Sequence, residues 1–597
     1  MRVADYIAHR IAEAGVRNIF MLPGGAAMHL NDAFGRHALI EPICNLHEQA
    51  CGIAAEAYAR ITGGLGAVLV TAGPGATNAI TGLAGAWLDS TPVVFMSGQV
   101  KSSDLTGDRG VRQFGVQEVD IVRIVEPLTK YAVTITDPVT VRYHIDKALH
   151  FALTGRRGPV WIDLPLDVQG SNIEPDELVG YTPEFQEGIY DNLKQQVDKA
   201  LCLIRQAKRP VLLVGNGVRM AGAVTEFLQL AEQLQIPVLT TWLGMDLIDS
   251  EHSLYFGRPG GMAPRGSNFT VQNADCLLVI GSRLDLGLVG YSYESFARAA
   301  KKIIVDIDAN ELKKYPIKVD LPVIADAKAF IAEVLIQCKD LEPLNNSLWL
   351  KQCRNWQIKY PLLTNDQLDP TLPLSAYHFS SELSQAMNAE DIVAPGSSGF
   401  ACEIFLLSYR CKVGQRMFHN RGTGSMGFGL PASIGACIGS DSRRTICVDG
   451  DGGFQMNIQE LETVRRLNLP IKFFVINNDG YASIRSSQAS YFNRLVCADP
   501  TSGLTLPDIK KVSTAYGLTT FQIEGNSELR KKINLVLETP GPVVCEVIVR
   551  SDEPRIPRLA SYRKPDGSMV SRPIEDLFPF LDRQEFKENM LIPLLSD

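Results

Sequence analysis

Two glycine-flanked polar motifs, one crossover apart, constrain this chain more than any other feature. Gly450-Asp451-Gly452-Gly453-Phe454 follows the apolar run Thr445-Ile446-Cys447-Val448, and Ile476-Asn477-Asn478-Asp479-Gly480 closes the run Ile471 to Ile476. Between them, Asn457 to Leu467 carries Ile458, Leu461 and Val464 at helical spacing. Strand, turn, amphipathic helix, strand reads as a crossover joining parallel strands of an α/β sheet. Asp451 and Asn478, 27 positions apart, then meet at the carboxyl ends of adjacent strands, where open α/β sheets bind ligands. Their oxygens suit a hard divalent cation such as Mg²⁺, which usually also binds ligand phosphate. The glycines let a ligand approach the backbone. An ordinary turn and an Asn-rich loop explain either motif alone, but not the pair in this setting.

The 597 residues are too many for one core and suggest several domains. With 45% hydrophobic and 21% charged residues, the composition is that of a soluble globular protein. A net charge of −8 gives no support for binding nucleic acid or an anionic membrane. The twelve scattered cysteines form no C-x-x-C pair and read as buried apolar residues of a reducing compartment. The chain starts in a helical pattern without a signal-peptide apolar region, and no apolar run reaches membrane-spanning length; the expected location is the cytoplasm.

The expected fold class is α/β: three doubly wound parallel-sheet domains plus a C-terminal arm. In residues 1–180, strands Ala67–Val70, Pro92–Ser97 and Val160–Leu164 precede turn signals, and a polar stretch near Ser171–Leu193 reads as a linker. Residues 195–345 hold Pro210–Val214 before Gly215-Asn216-Gly217, Cys276–Ile280 before Gly281-Ser282-Arg283, and Ile303–Val305 before Asp306. Such glycine turns would hold a nucleotide diphosphate, although any doubly wound sheet contains them. A polar helical passage at 340–375 leads to the region 376–550 with the metal motif. Residues 551–597 read as an arm over the body or across a subunit boundary. The first and third regions are candidates for similar sheets.

Glu48 opens a helix of small residues, Gly52-Ile53-Ala54-Ala55-Glu56-Ala57, and taken alone is a favourable N-terminal charge. Beside Gly73-Pro74-Gly75-Ala76-Thr77-Asn78 and the metal pair, it reads as catalytic. Leu22-Pro23-Gly24-Gly25, Glu48, the Gly73–Asn78 loop, Gln117-Glu118, Gly158-Pro159-Val160, Gly424-Ser425-Met426-Gly427-Phe428-Gly429-Leu430-Pro431 and the Asp451/Asn478 pair together resemble the acetolactate synthase branch of the thiamin-diphosphate enzymes. The resemblance covers almost the whole chain. It implies a pyrimidine-binding domain at 1–180, a central FAD-type domain at 195–345, a diphosphate-binding domain at 376–550, and active sites shared between chains of a homodimer or homotetramer.

By that resemblance Glu48 hydrogen-bonds the cofactor pyrimidine N1′ and favours the imino tautomer that removes the C2 proton. The Gly424 carbonyl accepts from the 4′-amine, and Met426 wedges beneath the cofactor, where plain core packing is the bland alternative. Asp451, Asn478 and the Gly480 carbonyl hold Mg²⁺. Gly73, Asn78, Gly396, Gly450, Gly452, Gly453 and Tyr481 line the cofactor. Gln117 orients the reacting partners. His29 and His47 are candidate proton relays or simply packed histidines. Arg156, Gly215, Gly217, Gly281, Arg283 and Asp306 fall on the segments that hold a structural FAD in the family.

Four positions depart from the family pattern. Its Phe before Gln-Glu is Val116, its Lys after the Asp-Leu-Pro strand is Leu166, an Arg falls on Gly287, and a Trp after the metal loop falls on Ser487. Losing the Arg removes a bidentate carboxylate partner, and losing Phe and Trp enlarges the acceptor space. The acceptor is therefore expected to be bulkier and to lack a carboxylate there, with Arg485 as a partial replacement for the lost charge. The loop Asn478-Asp479-Gly480-Tyr481-Ala482-Ser483-Ile484-Arg485 and the tail Ile574–Leu581 resemble a polysaccharide-biosynthesis subgroup that includes the yersiniose carboligase. The leading expectation is decarboxylation of a 2-keto acid, pyruvate first, and carboligation to a carbonyl acceptor such as a nucleotide-linked ketosugar. The alternatives are acetolactate synthase itself, a C–C lyase or hydrolase acting on a diketone or acyl-CoA, and a non-catalytic paralogue, which would not need Glu48.

Overall fold

The computed structural model describes residues 1–183, 192–563, 567 and 569–595. Of the stretch 171–193 expected to be a linker, residues 184–191 lie outside the described residues, as do 564–566, 568, 596 and 597 of the arm. The chain forms two compact units: residues 1–185, 390–402 and 416–551, and residues 186–389, 403–415 and 552–597.

The first unit contains two six-stranded sheets. One is built from β1 (Asn18–Met21), β2 (Glu41–Cys44), β3 (Gly66–Val70), β4 (Val93–Gln99), β5 (Ala132–Thr134) and β6 (Val160–Pro165), in the order β2-β1-β3-β4-β6-β5. Its neighbours are all parallel. The central strands β3, β4 and β6 are buried throughout, as parallel strands covered on both faces must be. In the second unit, β7 (Pro210–Val214), β8 (Val238–Thr240), β9 (Cys276–Ile280), β10 (Lys301–Asp306) and β11 (Leu321–Ile324) form a parallel sheet, ordered β11-β10-β9-β7-β8. The first unit's other sheet comprises β12 (Ile392–Val393), β13 (Arg416–Met417), β14 (Thr445–Gly450), β15 (Ile471–Asn477), β16 (Thr519–Glu524) and β17 (Val543–Ile548), in the order β13-β12-β14-β15-β17-β16. It is also parallel. Its strand order repeats that of the β1–β6 sheet, so the expected likeness of the first and third regions holds at the level of topology.

The two sheets of the first unit are joined through helices. Helix Glu48–Thr62 connects β2 to β3, helix Gly429–Gly439 connects β13 to β14, and the two pack against each other. Small residues allow this approach: a methyl carbon added at Gly435 would lie 1.9 Å from the Ala54 carbonyl oxygen. Cys51, Ala54, Ala55 and Tyr58 from one helix share an apolar cluster with Leu430, Ile434 and Cys437 from the other. Residues 171–173, at the start of the expected linker, instead dock on the N-terminus: Val3 N–H donates to Ser171 O and Ile173 N–H to Met1 O, each at 2.9 Å.

In the second unit the passage 340–375 does more than link. Helix Ser347–Lys359 buries Trp349 and Trp356 against Phe269 and the sheet. The arm completes the same cluster with Ile574, Phe586, Met590 and Ile592. Its polar ties are also buried: Trp356 Nε1 donates to Asn589 Oδ1 at 2.8 Å, and Gln272 Nε2 to Glu575 Oε2 at 2.6 Å. All twelve cysteines are free, and most are buried. Among the described residues no helix is long and apolar enough to cross a membrane.

Candidate active site

The ends of β14 and β15 bring the two opening motifs together. Gly450 is in register with Ile476, and Asp451 begins the short helix Asp451–Gln455. Asp451 Oδ2 accepts from the N–H groups of Gly480 at 2.9 Å and Asn478 at 3.3 Å, while Oδ1 accepts from Gly452 N–H at 2.7 Å. Burial pushes this carboxyl up to about 6, against the opposing pull of those N–H donors. A carboxylate clamped in a buried oxygen-rich loop fits a divalent cation, whose charge would restore its ionisation. Asn478, whose main chain the carboxylate already holds, and the Gly480 carbonyl would complete an all-oxygen set. Gly480 has φ +117°, and a methyl carbon there would meet Ala498 O at 2.6 Å. The intervening helix expected over 457–467 divides into a 3₁₀ turn, Ile458–Glu460, and helix Leu461–Arg466.

The remaining glycines of this face divide into two kinds. Methyl carbons at Gly396, Gly450, Gly452 and Gly453 would strike Asp449, Ser398, the Tyr481 ring and Ser398 Oγ at 2.3, 2.8, 2.2 and 2.1 Å. Their small size is thus required by the protein's own packing, whereas Gly424 has open space around it and φ +58°. Met426 lies two residues beyond it, half-buried.

Glu48 is the first residue of its helix and is buried. Its Oε2 accepts from Asn78 Nδ2 at 3.0 Å, so the carboxylate and the Gly73–Asn78 turn form one cluster. His47 Nδ1 caps the helix by accepting from Gln49 N–H at 3.0 Å, which commits that nitrogen and argues against a relay through it. Just ahead, Asn45 Nδ2 and Leu46 N–H donate to Glu460 at 2.9 and 2.8 Å, tying this loop to the β12–β17 sheet. Gly73 (φ +59°) abuts Gln117: a methyl carbon there would meet Gln117 O at 2.3 Å. Gln117 itself sits at φ +61°, an unfavourable region for a non-glycine residue that its surroundings must impose.

Glu118 supplies part of that constraint. Its carboxylate accepts from Thr106 N–H, from Thr106 Oγ1 at 2.6 Å, and from the N–H groups of Phe114 and Gly115 at 3.1 and 2.9 Å. Burial alone would raise this carboxyl, but these donors outweigh it and hold it below the usual range. The knotted loop leaves Val116 85% exposed. His29, on helix Met28–Gly35, has its ring against Gly170, where an added methyl carbon would be 3.0 Å from Nε2. Arg156 Nε donates to Ser90 Oγ at 3.1 Å, also in the first unit.

The other nucleotide candidates sit in the second unit, at the carboxyl ends of β7, β9 and β10. The sheet order reverses between β7 and β9, the switch point at which doubly wound sheets bind nucleotides. Gly215, Gly217 and Gly281 occupy that point and touch one another: a methyl carbon at Gly215 would lie 2.2 Å from Gly281 O. Arg283 follows β9, while Asp306 ends β10 and accepts from Asp308 N–H at 2.9 Å. Position and residue types fit a nucleotide, although the close approach of the two loops by itself accounts for the glycines.

Two polar side chains shape the site in ways that the sequence motifs did not disclose. Arg485 donates to the carbonyl oxygens of Asn478, Asp479 and Ser551 at 2.9, 3.0 and 2.7 Å, pinning the Asn478–Gly480 loop to the segment beyond β17. These bonds engage the guanidinium expected to be a partial replacement charge for the acceptor. Asn420 folds the turn around Gly424 through its side-chain amide. Both act on backbone groups, which leave no signature beyond a polar residue near a glycine turn.

Comparison with known proteins agrees with this arrangement. Residues 1–124 match the thiamine pyrophosphate enzyme N-terminal TPP-binding domain, 197–334 the central domain, and 398–547 the C-terminal TPP-binding domain. The chain is 33% identical over 559 residues to the acetolactate synthase large subunit of Cyanidium caldarium, covering 91% of this chain and 92% of the relative. It is 32% identical over 562 residues to that of Lactococcus lactis, covering 93% and 94%. A probable acetolactate synthase large subunit of Methanocaldococcus jannaschii is 31% identical over 573 residues, covering 93% and 94%. The chain therefore belongs to the thiamin-diphosphate enzyme family, in its acetolactate synthase-like branch, and is a thiamin-diphosphate-dependent carboligase.

Proposed function

We propose that the chain decarboxylates pyruvate and transfers the two-carbon acyl unit to the ketone of a nucleotide-linked sugar. The observation that carries this reading is the commitment of Arg485 to three main-chain carbonyls. With Gly287, Leu166, Val116 and Ser487 at the four departing positions, the guanidinium on the helix beyond the metal loop does not supply the missing acceptor-carboxylate partner. Ser487 Oγ donates to its own helix at Ile484 O, 3.0 Å away, and presents no bulk where the family has Trp. A larger, uncharged carbonyl compound suits such a site. In the net reaction the bond from the acyl carbon to the carboxylate breaks and CO₂ leaves. The acyl carbon bonds to the acceptor's carbonyl carbon, whose oxygen takes a proton.

When bound, thiamin diphosphate supplies the electron sink for this chemistry. The protein's part is binding, orientation and proton placement. Asp451, Asn478 and the Gly480 carbonyl would hold Mg²⁺ and, through it, the diphosphate. Glu48, steadied by Asn78, would hold a proton towards the pyrimidine N1′, and Gly424 O would receive the 4′-amine. Met426 would support the cofactor from below, and Gln117 would orient the acceptor. We assign the pyrimidine-binding role to residues 1–180, the diphosphate role to 376–550, and a structural FAD to 195–345, with Glu48 of one chain facing Asp451 and Asn478 of a second copy. Visible absorbance from gently purified protein tests the flavin, and its absence overturns that assignment.

Identity to acetolactate synthases over most of both chains favours a second reading, formation of acetolactate from pyruvate alone. Purified protein with thiamin diphosphate, Mg²⁺ and labelled pyruvate, assayed with and without a nucleotide-linked 4-ketosugar, separates the two. Label on the sugar with CO₂ release supports the carboligase reading. Acetolactate as the efficient sole product overturns it. No CO₂ removes pyruvate as donor and directs the search to diketones and acyl-CoAs.

A further inference from the structure

We infer that Asn420 is a positioning residue that presets the Gly424 carbonyl for the cofactor. Asn420 is 4% exposed, and among the described residues its side-chain hydrogen bonds go to the turn it encloses. Its Oδ1 accepts from Thr423 N–H at 3.1 Å, Thr423 Oγ1 at 2.8 Å and Gly424 N–H at 3.3 Å, and its Nδ2 donates to Ser425 Oγ at 3.2 Å. One amide therefore addresses three successive residues: it holds the peptide leading into Gly424 through the Gly424 N–H and the residue after it through the Ser425 hydroxyl. That glycine stands at φ +58° with open space where a side chain would be, so no side chain of its own anchors it. The Asn420 amide holds the peptide that leads into it.

Asn420 can serve as a scaffold because its neighbours are anchored. Arg421 N–H donates to Asp89 Oδ2 at 3.1 Å, and the same oxygen accepts from Arg60 Nη2 at 3.0 Å. Arg60 is in turn paired with Glu56 at 2.5 Å inside the helix that begins with Glu48. A methyl carbon at Gly422 would lie 2.5 Å from Leu88 Cβ, so the chain is pressed against the first sheet's helix there. Beyond the turn, Asn457 Nδ2 donates to Gly427 O at 2.8 Å. The segment is thus fixed at both ends, and its exposed middle is shaped by Asn420. The same buried ion group that stiffens the Glu48 helix also carries the loop that would present Gly424.

The inference rests on the reading that Gly424 O receives the cofactor's 4′-amine, and the test separates the two. Deuterium exchange at C2 of thiamin diphosphate bound to the full-length protein with Mg²⁺ is followed by acid quench and NMR, and cofactor affinity is titrated separately. Asn420→Ala is expected to slow exchange about tenfold or more, since small misplacements of an activating group lose large factors. Affinity should change less than about threefold, because the metal loop is untouched. Thr423→Val, at an exposed position that does not threaten folding, removes the 2.8 Å bond alone and should slow exchange by about two- to tenfold, the worth of one hydrogen bond. Unchanged exchange in both variants, with exchange slowed in Glu48→Gln, overturns the role of Asn420. So does a loss of affinity as large as the loss of exchange. If Glu48→Gln exchanges normally, the underlying reading of cofactor activation fails instead.

Discussion

Gly435→Ala tests whether the contact between helices Glu48–Thr62 and Gly429–Gly439 is set by backbone proximity. The added carbon would lie 1.9 Å from Ala54 O, 2.6 Å from Ala54 C and 2.8 Å from Ala54 Cα. A comfortable carbon–oxygen contact is about 3.3 Å, so the helices must part by roughly 1 Å or more. No flexible side chain can yield, because every atom in the way is main chain. Gaps of 0.5–1 Å forfeit about a quarter to a half of a contact's attraction, and Ala54, Ala57, Ile434 and Ala436 are all buried at this seam. Overpacking at the upper end of its range, about 3 kcal/mol, is the expected penalty. Replacing glycine inside a helix returns about 1 kcal/mol, leaving a net loss of roughly 2 kcal/mol. At about 2.1 cal/mol/K of unfolding entropy per residue, the roughly 330 residues of the first unit shift by about 1.4 °C per kcal/mol, so the melting midpoint should fall by roughly 3 °C. Gly439→Ala is the control: its added carbon would meet Tyr58 Cδ2 at 3.2 Å and Tyr58 O at 3.3 Å, distances that small shifts relieve. Thermal scans at one fixed rate compare the three proteins. A Gly435→Ala midpoint within about a degree of wild type and Gly439→Ala would refute the argument.

Three further outcomes follow from the site and its surroundings. Glu48→Gln should lower turnover by about 10²–10⁴-fold with an unchanged melting midpoint, and near-normal turnover would remove Glu48 from the proton chemistry. If sites are shared between chains, mixing inactive Glu48→Gln and Asp451→Asn proteins after subunit exchange should restore about a quarter of wild-type activity, and no recovery would place the site within one chain. Asp163 is fully buried and accepts from Ser97 Oγ at 2.6 Å, Gln99 Nε2 at 3.2 Å and Thr134 Oγ1 at 3.0 Å, yet burial outweighs these donors and pushes its carboxyl up to about 7. The folded state then holds this proton more tightly than the unfolded chain, so its contribution is complete below about pH 4 and is lost as pH rises towards 7. Asp163→Asn should flatten the fall in melting midpoint between pH 5 and about 7.5; an unaltered slope would assign that dependence to other groups.

Much of this architecture was legible because parallel strands buried on both faces are continuous apolar runs. Cys276–Ile280, Pro210–Val214 and Ile471–Asn477 carry that signal, and glycine turns follow the first two directly. Ile392–Val393 and Arg416–Met417 do not: a two-residue strand is too short to show a period. The passage 340–375 read as polar because only Trp349, Cys353 and Trp356 face inward from its main helix. The arm's apolar residues were visible, but nothing in a linear sequence says which core receives them. Asp451 and Asn478 were legible because strand-end position fixes where they meet. Arg485, Glu118 and Asn420 were harder, since their partners are N–H groups, carbonyls and nearby hydroxyls supplied by the turn itself.

The matching strand orders of the first unit's two sheets extend to what lies between the strands. In each, the helix from second to third strand meets its counterpart, and in each a five-residue helix follows the third strand: Pro74–Asn78 and Asp451–Gln455. A patch that meets its own equivalent is the geometry of a twofold dimer contact, here enclosed within a single polypeptide. Two separate identical copies would have to carry the same residue at both equivalent places, and any substitution would strike both. Covalent linkage lifts that restriction. One half can keep the Gly73–Asn78 turn beside Glu48 while the other turns the corresponding position into the acidic Asp451 turn, so a symmetric frame can carry two chemically different ends.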